Sequence, residues 1–189
     1  MQNNMNLNKA IESIKTQHAL VTGGAGFIGS NLVAFLLENG LRVTVLDNLS
    51  TGKRANFAEF VDNPNFRFIE GDITDYNTCL NAIQGVDFIS HQAAMGSVPR
   101  SIEFPHNTHN VNATGFLNML HAAKESGVKR FVYASSSSVY GDVEEKDLPT
   151  SEFAELNPMS PYAIHKFIGE EYCKLYSKLY DIETVSLRY

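Results

Sequence analysis

The sequence predicts an α/β fold built on a doubly wound parallel sheet, and three observations carry that prediction. Short apolar runs alternate with segments of helical periodicity from residue 17 to the last residue. A glycine-rich turn follows the first apolar run directly. An acid, Asp47, closes the second run about 20 residues further on.

Each element has a local reason. His18–Thr22 is a short apolar run bounded by the glycine turn, the pattern of a strand buried on both faces. Phe27–Asn39 carries a helical stripe and stops before Gly40. Leu41–Leu46 and Phe66–Glu70 read as the second and third strands, and Asp75–Gln84 as a helix. Val86–Ser90 reads as the fourth strand, followed by a long loop through Pro99 and Pro105. Thr108–Ser126 reads as one helix stopped by Gly127, and Arg130–Ser135 as the fifth strand. An irregular stretch, Gly141–Met159, leads to a helix over Ser160–Tyr180 and a sixth strand over Ile182–Arg188. Strands separated by helices of this length imply parallel pairing through right-handed crossovers.

Composition narrows the function classes. Hydrophobic residues make up 43% of 189 residues, enough for one domain with a sizeable core. The net charge of −6 and a pI near 5.5 leave no basic footprint for nucleic acid. An anionic ligand must therefore be held by local devices such as a helix N-terminus. Cys79 and Cys173 lack metal-ligand spacing and read as packing residues in a reducing compartment. The Asn-rich stretch Met1–Ala10 lacks the apolar run of a signal peptide, and no run is long enough to span a membrane. A cytoplasmic location is the expectation. His18 and His91 flank strands, His165 is expected to point away from its helix's Tyr–Lys face, and His106, His109 and His121 have no acidic partners at metal spacing. No metal is expected.

The turn Thr22-Gly23-Gly24-Ala25-Gly26-Phe27-Ile28-Gly29 lies between a strand and a helix. Gly23, Gly26 and Gly29 permit a tight turn, close approach of backbone to a pyrophosphate, and close helix–sheet packing. Exposed amides and the helix dipole would then hold the phosphates. Asp47 stands where a carboxylate bonds a ribose 2′-hydroxyl and repels a 2′-phosphate, which favours NAD over NADP, or where an acid caps the loop. Lys53 and Arg54 nearby leave a 2′-phosphate open. Asp72 would either face the adenine or cap the next helix. The chain accordingly divides into an N-terminal helical extension, residues 1–16, and a dinucleotide-binding Rossmann domain, residues 17–189.

Tyr162 and Lys166 are four apart on a helix, so both side chains share one face. An ammonium one turn away favours the phenolate and lowers a pKa that is ordinarily near 10. An ordinary amphipathic helix would carry the same spacing. Hydroxyls at the end of strand five, Ser135 to Ser138, would bond a sugar or satisfy loop backbone.

These motifs occur with Asp47-Asn48, Gly71-Asp72-Ile73, His91-Gln92-Ala93-Ala94, Tyr133-Ala-Ser-Ser-Ser-Ser-Val-Tyr-Gly141 and Ser160-Pro161-Tyr162. Together they resemble the extended short-chain dehydrogenase/reductases, in particular nucleotide-sugar 4-epimerases, over residues 17–189. The resemblance implies Tyr162 as catalytic base and acid, Lys166 as holder of the nicotinamide ribose, and Ser136 as the third catalytic residue. It implies NAD contacts from Gly23, Gly26, Phe27, Ile28, Gly29, Asp47, Asn48, Asp72, Ile73, Gln92, Ala93, Ala94, Tyr162 and Lys166. Sugar contacts would come from Gly96, Ser97, Ser136, Ser137 and Tyr162. Ser135 and Ser138 are read as structural. Related dehydratases carry an Asp-Glu pair before Val-Tyr-Gly, and related decarboxylases a glutamate. Ser137-Ser138 offers no carboxylate there, which favours epimerisation.

Gly96-Ser97 would leave room for an N-acetyl group, so UDP-GlcNAc/UDP-GalNAc is the favoured UDP-sugar, with UDP-glucuronate open and Arg100 serving a carboxylate, a phosphate or neither. Where the family often has Asn, this chain has His109. The resemblance also implies a homodimer through a four-helix interface made from Thr108–Ser126 and Ser160–Tyr180. It places most of the smaller substrate domain outside this chain, so a cofactor-binding module without turnover is an alternative, as is a reductase with a stoichiometric NADH change.

Overall fold

A computed structural model describes residues 9–189; the expectation for residues 1–8 lies outside them. Residues 9–14 are helical (α1). Six strands follow: β1 His18–Thr22, β2 Arg42–Asp47, β3 Phe66–Glu70, β4 Phe88–His91, β5 Arg130–Ser135 and β6 Glu183–Arg188. They form one parallel sheet in the order β3-β2-β1-β4-β5-β6, doubly wound as the sequence predicts. Strand order reverses between β1 and β4, and a crevice opens there at the carboxyl ends of the strands, where such sheets bind ligands.

Side chains alternate across the sheet. Ala19, Val21, Val43 and Val45 point to the face covered by α2, Phe27–Glu38, through Val33, Leu36 and Leu37. Leu20, Leu46, Ile89, Phe131 and Tyr133 point to the other face. There they meet α3 (Tyr76–Ala82), α6 (Phe116–Glu125) and α7 (Pro161–Leu179). Gly169 explains how close α7 comes: a Cβ at that position would sit 2.5 Å from the Tyr133 hydroxyl. Cys79 and Cys173 are free, buried thiols, each held up to about 12 by burial.

Two expectations change. The segment read as a loop through Pro99 and Pro105 contains two short helices, α4 (Val98–Glu103) and α5 (Pro105–His109). Each has its proline in the first turn, where the missing N–H costs nothing. The single helix expected over Thr108–Ser126 is broken by a π-turn, Asn110–Gly115, before α6 resumes the α-helical path. Gly115 faces Ile73 there, and a Cβ would lie 2.8 Å from its Cγ1.

Candidate active site

The crevice at the switch point is a cavity of about 560 Å³. Gly23, Gly26, Phe27, Ile28, Gly29, Asp47, Asn48, Asp72, Ile73, Gln92, Ala93 and Ala94 all line it. The glycines have physical causes here. Gly23 adopts φ +69°, and a Cβ on it would lie 2.7 Å from the Ala93 amide nitrogen. A Cβ on Gly29 would run into the Gly23 carbonyl oxygen. The backbone is thus bare where a pyrophosphate would lie, and the N-terminus of α2 opens onto it.

Asp47 is buried and holds the turn together. Its Oδ2 accepts the Ala25 amide at 2.9 Å, and its Oδ1 accepts the Leu49 amide at 2.8 Å. Asn48 donates to Asp72 Oδ2 at 2.8 Å, while Asp72 Oδ1 accepts from the amide and hydroxyl of Thr74. Burial raises the Asp72 carboxyl, but the bonds from Thr74 and Asn48 outweigh it and leave the pKa below the ordinary value. The helix cap, one of two readings for Asp72, belongs instead to Asp75, which accepts the Asn77 amide at 3.0 Å. Arg54, a candidate for a 2′-phosphate, pairs with Glu70 and stacks on Phe68.

Beyond Ala94 the cavity is lined by Met95, Asn107, Asn110 and Val111. Gly96 and Ser97 lie outside that lining: Gly96 has open space around it, and the Ser97 hydroxyl caps α4 by accepting the Arg100 amide at 3.3 Å. Asn112 was not anticipated. It is buried in the π-turn and clasps Met95 through both of that residue's backbone groups, accepting its N–H at 2.7 Å and donating to its carbonyl at 3.1 Å. The only sequence signal was an Asn inside a helical pattern.

At the end of β5 the serine run separates by role. Ser135 donates to buried Glu170 at 2.5 Å, a structural contact as expected. The Ser136 hydroxyl accepts the Ser138 amide at 3.2 Å and faces the Tyr162 phenol. Ser137 is exposed, and its amide donates to the Tyr189 carbonyl at 2.6 Å. The Ser138 hydroxyl is buried without a partner among the described residues, so it does not satisfy loop backbone as expected.

Tyr162 and Lys166 occupy the first two turns of α7, whose N-cap is Ser160. Lys166 is 3% exposed; its Nζ donates to the Ala134 carbonyl at 2.6 Å and lies 5.0 Å from the Tyr133 ring centroid and 5.7 Å from that of Tyr162. Burial brings the ammonium down to about 8. The Tyr162 phenol departs from expectation: burial raises its pKa, and the Ser136 hydroxyl pulls the other way without overcoming it. His91, beside them, is buried and brought down to about 3 by desolvation and then by Lys166, so it is neutral. His165 is also buried, its Nε2 3.2 Å from Nδ1 of His109 and its Nδ1 unpartnered among the described residues. Among the described residues no three His, Cys, Asp or Glu side chains group as metal ligands, and no helix is long and apolar enough to cross a membrane.

A parallel sheet of this order, with a bare glycine turn at its switch point, defines a dinucleotide-binding domain; Ser136, Tyr162 and Lys166 cluster at the end of β5, outside the lining of that cavity. Residues 19–189 match the NAD dependent epimerase/dehydratase family, and the chain belongs to it. It is 43% identical to the UDP-glucose 4-epimerase of Mycolicibacterium smegmatis over 166 residues, 87% of this chain and 52% of that protein. Its structure is similar to that of Thermus thermophilus UDP-glucose 4-epimerase in complex with NAD, with a TM-score of 0.84, 42% identity, and coverage of 91% of this chain and 54% of that one. It is also similar to UDP-N-acetylglucosamine 4-epimerase from Methanobrevibacter ruminantium in complex with UDP-N-acetylmuramic acid, with a TM-score of 0.84, 34% identity, and coverage of 92% and 55%. The chain spans about half the length of these relatives.

Proposed function

We propose that this chain is the cofactor-binding and catalytic portion of an NAD-dependent UDP-sugar 4-epimerase, with UDP-GlcNAc/UDP-GalNAc as the favoured pair. The observation that carries the proposal is the convergence of Ser136, Tyr162 and Lys166 on the carboxyl end of β5, beside the cleft at the switch point. The cleft fits NAD on its own evidence: a bare glycine backbone for the pyrophosphate and buried Asp47 on its lining. Gly23, Gly26 and Gly29 would admit the phosphates, Asp47 the adenosine ribose, and Lys166 the nicotinamide ribose. When bound, NAD supplies a reversible hydride acceptor.

The chain's own residues handle the proton. Tyr162 takes it from the sugar 4-hydroxyl and returns it, and Ser136 bonds the same oxygen. For this the phenol must lose its proton near neutral pH, against the burial that raises its pKa. Lys166 supplies the opposing positive charge, which the oxidised nicotinamide would reinforce. No net redox change accompanies the reaction, so turnover needs no second substrate.

The small Gly96–Ser97 pair, which follows β4, supports an N-acetylated sugar. A uronic acid sugar is the second reading, supported by the exposed Arg100 one turn into α4. A homodimer through the α6–α7 helices accompanies the proposal, supported by Ile164, 44% exposed, and Leu175, 45% exposed, on α7. Proton NMR of UDP-GlcNAc with the purified chain tests the activity. Appearance of the galacto epimer without added cofactor is the expected result. An unchanged spectrum with both UDP-GlcNAc and UDP-glucuronate would count against turnover by this chain, and a separate NAD titration would then decide the cofactor reading.

A further inference from the structure

The first turn of a helix presents amides with no partner inside the helix. In α7 these are almost all satisfied locally. Pro161 has no N–H, the Ala163 amide donates to the Ser160 hydroxyl at 3.1 Å, and the Ile164 amide donates to the Ser160 carbonyl at 2.9 Å. The amide of Tyr162 is the exception. It donates at 3.1 Å to the hydroxyl of Ser101, which arrives from α4 and is fully buried. Ser101 is held in turn by its own helix, its hydroxyl donating to the Val98 carbonyl at 2.7 Å and its amide to the Ser97 carbonyl at 3.1 Å. Ser97 opens α4 at φ +105°, a left-handed backbone that only a tightly held turn retains. One helical turn therefore joins the Gly96–Ser97 segment to the backbone of Tyr162.

We propose that Ser101 is a positioning residue for Tyr162, so that the Gly96–Ser97 segment and the phenol of Tyr162 move as one body. The proposal rests on the reading of Tyr162 as the proton carrier and deepens it. A sugar that displaces Gly96–Ser97 displaces the phenol from Ser136, and substrate fit in that segment becomes a condition of proton transfer. The groups that face the phenol are Ser136 from the end of β5, Tyr133 from β5 and Lys166 from α7. The charged side chains of α4 itself, Arg100 and Glu103, are exposed.

The test reads the phenol directly and requires no turnover. The chain is labelled with 3-fluorotyrosine, whose phenol is more acidic than tyrosine's. The resonance of Tyr162 among the eight tyrosines is identified by its loss in Tyr162→Phe. Its titration midpoint is then followed by fluorine NMR. Ser101→Ala is expected to raise the midpoint by roughly half a unit or more, as the phenol withdraws from Ser136. Ser101→Cys, which keeps the volume with a much weaker hydrogen-bonding group, should shift it the same way if the alanine variant does not fold. Ser101→Thr, which keeps the hydroxyl, should restore the parent value. Ser177→Ala is the control: it removes a 2.8 Å hydroxyl bond to the Ile182 carbonyl at the far end of α7 and should leave the midpoint in place. An unmoved midpoint in Ser101→Ala or Ser101→Cys, whatever happens to stability, would overturn the proposal. An equal shift in Ser177→Ala would overturn it as well. A chain without epimerase activity would still give this answer, so the two readings fail separately.

Discussion

Arg188, the last residue of β6, grips Glu170 of α7 through two parallel bonds, Nε to Oε1 at 2.9 Å and Nη2 to Oε2 at 2.7 Å. Glu170 is 2% exposed and stands one turn past Lys166. Its Oε1 also accepts the Ser135 hydroxyl at 2.5 Å, while Arg188 Nη1 donates to the Tyr140 hydroxyl at 2.8 Å. Ser136 therefore lies in a short stretch pinned at both ends by one ion pair, and that pair is rooted in the helix that carries Tyr162 and Lys166.

Removing one partner strands the other charge. Glu170→Gln should cost about 3–5 kcal/mol at neutral pH, read by urea unfolding. Burial raises the Glu170 carboxyl, but bonds from Arg188 and Ser135 outweigh that and leave its folded pKa below the ordinary glutamate value. The stabilisation is thus present above the unfolded pKa and disappears as pH falls through the folded one. The gap between the parent and Glu170→Gln should close in acid. A gap that never narrows as the pH is lowered would contradict the pairing.

Lys166 works with the opposite sign. Its folded pKa, about 8, lies below the ordinary 10.5, so the cofactor-free fold bears the full cost of the charge below pH 8 and sheds it as pH rises towards 10.5. Lys166→Met should stabilise the cofactor-free chain at pH 7 by on the order of 1–3 kcal/mol. That advantage should shrink between pH 8 and 10.5, in thermal melts across the range. The same variant should bind NAD more weakly.

Tyr162→Phe keeps the ring and removes only the proton carrier. Turnover should fall by at least ~10²–10⁴-fold while NAD affinity stays within a few-fold, measured by the sugar NMR assay and by calorimetry. Full activity in this variant would sink the assignment of Tyr162.

Gly29→Ala tests the cofactor turn. The added methyl meets the Gly23 carbonyl oxygen, which is backbone and cannot rotate away. NAD binding should weaken by ~100-fold or more, since the phosphate-facing amides are displaced with it. Retention of parent affinity would mean that the phosphates lie elsewhere.

Much of this was legible in the chain because it depends on local rules. Alternation placed the strands within one or two residues, and Gly23 and Gly29 announced a close backbone approach. Pro99 and Pro105 misled because proline marks both a loop and the first turn of a helix, and only the tertiary contacts of α4 and α5 decide between them. The π-turn at Asn110–Gly115 has no sequence period of its own, so Asn112 and its hold on Met95 were invisible. The direction of the Tyr162 pKa was hidden as well, because burial belongs to the fold and not to Tyr–Lys spacing. Spacing puts Lys166 on the same helix face, but only the fold reveals that its ammonium bonds the Ala134 carbonyl.

The order of the strands has a consequence for how such a chain can change. The glycine turn, Asp47 and Asp72 all precede α3, whereas Ser136, Tyr162 and Lys166 all follow it, and the two halves of the sheet join at the β1–β4 pairing. In the proposed function, preference at the adenosine end and proton transfer at the sugar are therefore written in separate stretches of the sequence. A single recombination joint within α3 would exchange one between relatives and leave the other intact, so the two properties can drift and be inherited independently.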